Sequence, residues 1–79
     1  MKLTVVSPER VIFKGQAVSV TVPGVKGAFE VLDNHAPIIS ALQRGKMVYK
    51  TTADNELQIA GGFINVANNE VAVCVETEV

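Results

Sequence analysis

Few of the 79 residues carry side chains able to do chemistry: one histidine, one cysteine, eight acids and seven bases. His35 lies in the stretch "GAFEVLDNHAPII", close behind Glu30 and Asp33 and just before an Ala-Pro step. An imidazole in such a loop can ligate a metal, act as a base, switch with pH or make a plain contact. Each option needs partners. Structural zinc takes four converging Cys or His side chains, and this sequence holds one of each. Calcium or magnesium wants a cluster of oxygen donors, and only Glu30 stands near Asp33. A nucleophile needs a base beside it and a third group to orient that base. Cys74 falls among valines in "VAVCVE", where strand alternation is expected to bury it as an inert core thiol. Nothing in the sequence places it, or a serine, beside His35. The residues point away from catalysis and from a resident metal or cofactor.

Binding chemistries need partners too. "PGVKGAF" holds Gly24 and Gly27 without a phosphate-binding pattern or a following helix. Both glycines are expected to be turn residues with positive φ. A nucleic-acid platform needs exposed aromatics among basic residues. Here the net charge is −1, and the three Phe stand where core residues belong, so no nucleic-acid partner is expected. Biotinyl and lipoyl carriers are all-β, of similar size, and carry a modified Lys at a hairpin tip. Lys46 in "RGKMVYK" is the position such a carrier would use, although the tight flanking motif of those families is missing.

The elements that must position these residues are strands. Val, Ile and Thr dominate the apolar content, and their stiff χ1 suits a pleated surface. "QAVSVTVP" alternates, with Val18, Val20 and Val22 expected inward and Ser19 and Thr21 outward. "KLTVVS", "MVYKTT", "ELQIA", "FINVA" and "VAVCVE" read as further strands. Turn residues separate them at Ser7-Pro8, Pro23-Gly24, Asp54-Asn55, Gly61-Gly62 and Asn68-Asn69. Only "APIISALQR" has any helical character, and Pro37, Ile38 and Ile39 weaken it. The spacing predicts an all-β fold: a small β-sandwich or flattened barrel of roughly eight to ten short, mostly antiparallel strands. In "VAVCVE", Val71, Val73 and Val75 share one face, while Ala72 and Cys74 leave the other partly apolar. That strand is expected to be covered on both sides, by a second sheet and by a partner.

At this length the chain is one domain, residues 1–79, with 48% hydrophobic residues, enough for a core. No run is long and apolar enough to span a bilayer, and "MKLTVVSPER" does not read as a signal peptide. One cysteine permits no internal disulfide, which fits a reducing compartment. All seven basic residues lie at or before Lys50, whereas Asp54, Glu56, Glu70, Glu76 and Glu78 follow it. Either neighbouring strands mix these charges in space, or a polarised surface orients a partner.

Three ordered stretches, "VVSPERVIFKG", "VPGVKGAFEVLDNHAPIISALQRGKM" and "IAGGFINVANNEVAVCVE", resemble the N-terminal β-sandwich domain of the epsilon subunit of bacterial F-type ATP synthase. The likeness runs from about Leu3 to Glu76. It implies a non-catalytic central-stalk subunit without cofactor, peripheral on the cytoplasmic face of the inner membrane. Its partners would be the gamma subunit and the membrane c-ring, and through them the alpha/beta catalytic head. In this likeness Ser7 and Ser40 match positions close to gamma. The loop from Ala28 to Pro37, with Glu30, Asp33, Asn34 and His35, approaches the ring and lower gamma. Two departures fall here, because Ala28 replaces a common Glu and Glu30 a common Gly. Typical members continue into a two-helix hairpin past the closing strand, whereas this sequence ends at Val79. The expectation is a short epsilon subunit without hairpin-mediated inhibition or nucleotide binding.

Overall fold

A computed structural model describes residues 1–77. It contains eight strands: β1 (Lys2–Val6), β2 (Val11–Gln16), β3 (Ser19–Gly24), β4 (Gly27–Leu32), β5 (Ile38–Leu42), β6 (Gly45–Lys50), β7 (Asp54–Ala67) and β8 (Glu70–Thr77). There is no helix among the described residues. "APIISALQR" forms β5 instead. Its β-branched pair follows a proline, and its backbone pairs with the second half of β7, Ile38 opposite Val66 and Leu42 opposite Gly62.

The strands form one hydrogen-bonded sheet in the order β2-β1-β8-β7-β5-β3-β4, with β6 joining β3 to β7. Only β1 and β8 run parallel. The sheet closes into a sandwich because β7 serves both layers. Its first half pairs with β6, and its second half lies between β5 and β8. "ELQIA" and "FINVA" are therefore one long strand, and Gly61-Gly62 is not a turn. A register shift between Ile59 and Gly61 marks a bulge that bends the strand from one layer to the other. Gly62 takes φ +149, and a Cβ there would lie 2.1 Å from the Cys74 carbonyl oxygen, so only glycine fits.

Other turns shift by a residue or two. Gly24 ends β3 opposite Gly27, so the reversal falls on Val25-Lys26, and of the two glycines only Gly27 has positive φ (+126). Asp54 already pairs with Lys50, and the turn occupies residues 51–53. There the Asn55 amide donates to the carbonyls of Tyr49 and Ala53 at 3.3 and 3.1 Å. The Asn68-Asn69 hairpin forms as expected. Both residues have positive φ (52° and 58°), the conformation that a two-residue turn of this kind requires.

Between the layers lies a dry core that includes Leu3, Val5, Ile64, Val66 and Val73 from one and Val20, Val22, Val31, Met47 and Ile59 from the other. Phe13 of β2 packs on Tyr49 of β6, ring centroids 4.9 Å apart, and links the open side. Val20 and Val22 point inward as expected, but Val18 is exposed because it precedes β3. Two further corrections matter for function. Phe63 is exposed, and so is Cys74, because β8 turns only its Val71-Val73-Val75 face to the core.

Candidate partner-binding face

The outer side of the β1–β8–β7–β5 sheet is where the exposed residues converge. Register places Val6 beside Cys74, Cys74 opposite Phe63, and Phe63 opposite Ala41. The next row is Thr4, Ala72, Asn65 and Ile39. One row is therefore apolar across four strands, and the second adds Ala72 and Ile39. Ile39 and Phe63 are 76% and 63% exposed, the two most exposed large hydrophobics of the described residues. A contiguous apolar row in water is costly and marks a contact surface more often than a free one. Beside the row lies a trough of about 460 Å³ whose lining includes Val6, Pro8, Ala41, Gly61, Phe63 and Cys74.

The residues singled out from the sequence do not gather in one place. Ser7 lines this trough, and its hydroxyl shares hydrogen bonds with the Arg10 backbone at 3.3–3.4 Å, shaping the bend around Pro8. Ser40 stands opposite the buried Ile64, on the core side of β5, while its neighbours Ile39 and Ala41 face out. Ala28 and Glu30 are exposed on β4, an edge strand. Asp33, Asn34 and His35 lie at the opposite end from the trough, tied into the fold. Asp33 makes an ion pair with the Met1 amine, which also donates to the Ala17 carbonyl. The Asn34 N–H donates to the Asn69 side chain at 2.9 Å, and Asn34 itself has φ 60°. The His35 N–H donates to the Leu32 carbonyl at 3.2 Å, and Nδ1 lies 2.7 Å from the Ala36 carbonyl. The bonds that His35 makes are thus within its own loop.

The charges mix in space. Lys2, Lys46 and Lys50 stand 4.0, 3.8 and 3.8 Å from Glu70, Glu56 and Asp54. Strand pairing thus recombines the basic first part with the acidic second part; Glu78 lies outside the described residues. Lys46 sits inside β6 opposite Gln58, not at a hairpin tip, so the geometry a carrier domain needs is not present there. No charged side chain and no thiol is buried among the described residues, although the Met1 amine is, and no three His, Cys, Asp or Glu converge there.

The model of the family described as ATP synthase delta/epsilon chain, β-sandwich domain, matches residues 1–79. The chain belongs to this family. It is 35% identical over 77 residues to the ATP synthase epsilon chain of Chlorobium limicola, covering 95% of this chain and 88% of that one. With the epsilon chain of Chlorobaculum tepidum it shares 38% over 76 residues, covering 94% and 86%. A chain in the central stalk/c-ring structure of the Tetrahymena thermophila mitochondrial ATP synthase superposes with a TM-score of 0.85 at 14% identity. The epsilon-type sandwich covers 63% of that longer chain and is itself covered to 96%, so the fold is shared. An epsilon chain is a non-catalytic subunit of the ATP synthase. The exposed face is therefore read for contact rather than reaction. No helix among the described residues is long and apolar enough to cross a membrane.

Sequence reasoning missed Phe63, Ile39 and Gly61. The available signal was the outward phase of "FINV" relative to "VAVCV": once Asn68-Asn69 is the turn, Phe63 must face Cys74.

Proposed function

We propose that this chain is a coupling subunit of the ATP synthase central stalk, attached to the gamma subunit through the outer face of β1, β8, β7 and β5. The unbroken row Val6–Cys74–Phe63–Ala41 carries the reading, because it supplies apolar contact area that a free surface would not keep. Ser7 borders the same trough. The exposed Ala28 and Glu30 on β4 are the side chains offered to the c-ring, and the Asp33–His35 loop presents a backbone of fixed shape. The subunit is peripheral, on the cytoplasmic side of the membrane, and makes no bonds in the reaction. It conveys rotation between ring and gamma, and so couples ion flow to the alpha/beta head. A sandwich with a close-packed, wholly apolar core is stiff enough for that task. The likeness to a chain of the Tetrahymena thermophila central stalk and c-ring assembly supports the same place for this one.

The test is size exclusion of the tagged chain mixed with gamma from the same organism. The wild type is expected to co-elute with gamma, and Phe63→Asp to elute alone with an unchanged circular dichroism spectrum. A folded wild-type chain that binds no gamma at any salt concentration would overturn the reading.

A further inference from the structure

Two adjacent glycines in β7 have different reasons to be glycine. Gly62 is required by the fold, as its φ and the nearby Cys74 carbonyl show. Gly61 is not. Its φ lies outside the left-handed region, and an added Cβ would meet only the Leu42 carbonyl oxygen, at 3.5 Å, an ordinary contact. A side chain at 61 would stand in the trough instead, since Gly61 is part of its lining. The bareness of this position keeps the trough open.

The end of the trough has a second feature. Glu76, the cross-strand partner of Gly61, borders it and also borders the adjoining recess formed with Pro8, Glu9 and Thr77. Glu76 and Glu9 thus flank one recess, and neither carboxylate has an ion-pair or hydrogen-bond partner among the described residues. The other acids at strand ends, Asp54 and Glu70, do have lysines.

We infer that the trough over Gly61 receives an apolar side chain of the docked partner, followed by a lysine or arginine that pairs with Glu76 and Glu9. This rests on the docking face proposed above and specifies what gamma must present there. Because Glu76 lies directly across from Gly61, the knob and the cation must be close neighbours on the partner, three or four residues apart if the segment is helical. The knob supplies burial and the cation supplies register, since a charge pair at the rim of an apolar contact fixes orientation and hastens encounter.

The experiment is calorimetric titration of gamma into the wild type, Gly61→Ala, Gly61→Leu, the double variant Glu9→Gln/Glu76→Gln, and Phe63→Asp, each at low and high salt. Gly61→Ala and Gly61→Leu are expected to unfold within a few degrees of the wild type. Gly61→Leu is expected to raise Kd at least roughly tenfold, and Gly61→Ala by less. The double variant is expected to weaken binding severalfold at low salt and to flatten its salt dependence. If Gly61→Leu binds as tightly as the wild type, or Gly61→Ala fails to fold, the knob is wrong. If the double variant keeps the wild-type salt dependence, the cation is wrong. In either case loss of binding by Phe63→Asp leaves the stalk reading intact, whereas absence of any gamma binding overturns both. Sedimentation of the free chain is expected to show a monomer. A dimer dissociated by Gly61→Leu would instead assign the trough to a second copy.

Discussion

The Asp33–His35 loop and the outer face around Phe63 are opposites in how they treat their bonding capacity. The loop holds the one histidine, yet its groups are engaged internally: Asp33 with the Met1 amine, Asn34 with Asn69, His35 with Leu32 and Ala36. The face holds nothing reactive beyond a thiol, yet it leaves Phe63, Cys74 and Val6 in one row and Ile39 in the next uncovered or half-covered. Residue chemistry draws attention to the loop, while unmet burial draws it to the face. In a subunit that works by contact, the second signal is the informative one.

That contrast is sharpest within β7, where alternate residues belong to the core and to the partner. Gly62→Ala is expected to lose about 4 kcal/mol of stability, from φ strain and the clash with the Cys74 carbonyl, whereas Gly61→Ala stays within about 0.5 kcal/mol. Urea unfolding compares them directly. Two residues beyond Gly62, Ile64→Ala should cost about 3 kcal/mol by opening a cavity among fully buried side chains. Its neighbour Phe63 behaves the other way. Phe63→Ala should leave the urea midpoint nearly unchanged and weaken gamma binding by about 2 kcal/mol, roughly thirtyfold. A Phe63→Ala variant that unfolds early while binding normally would break the comparison.

Most of the architecture was legible in the sequence, and the misreadings share a cause. Alternating apolar residues marked β1, β3 and β8 as strands, and Asn68-Asn69 marked its hairpin. Gly61-Gly62 was misread as a turn because glycine pairs signal both reversals and bulges, and only the pairing of β7 with both β6 and β5 tells them apart. Cys74, by its alternation among valines, and Phe63, by residue type, were expected in the core. Register alone places them outside, and register depends on the strand that lies opposite. Charge segregation along the chain disappeared for the same reason, since antiparallel pairing brings Asp54 and Glu56 alongside Lys50 and Lys46.

Smaller effects belong to the loop end. Asn69→Ala is expected to cost about 1 kcal/mol, because alanine tolerates φ 58° poorly and cannot accept the Asn34 N–H. His35→Ala should cost about 0.5 kcal/mol or less, one partly exposed contact to Ala36, with gamma binding retained. Gamma binding that fell with His35→Ala as far as with Phe63→Ala would place the partner at the loop end instead.

The most direct test uses the single cysteine as a probe of the face. Cys74 is exposed in the free chain and lies between Val6 and Phe63 in register, so a maleimide should label it readily. After saturating addition of gamma the labelling rate should fall at least about tenfold, and chain labelled beforehand should no longer bind. An unchanged rate in the assembled complex would show that gamma sits elsewhere and would contradict the docking face on which the account depends.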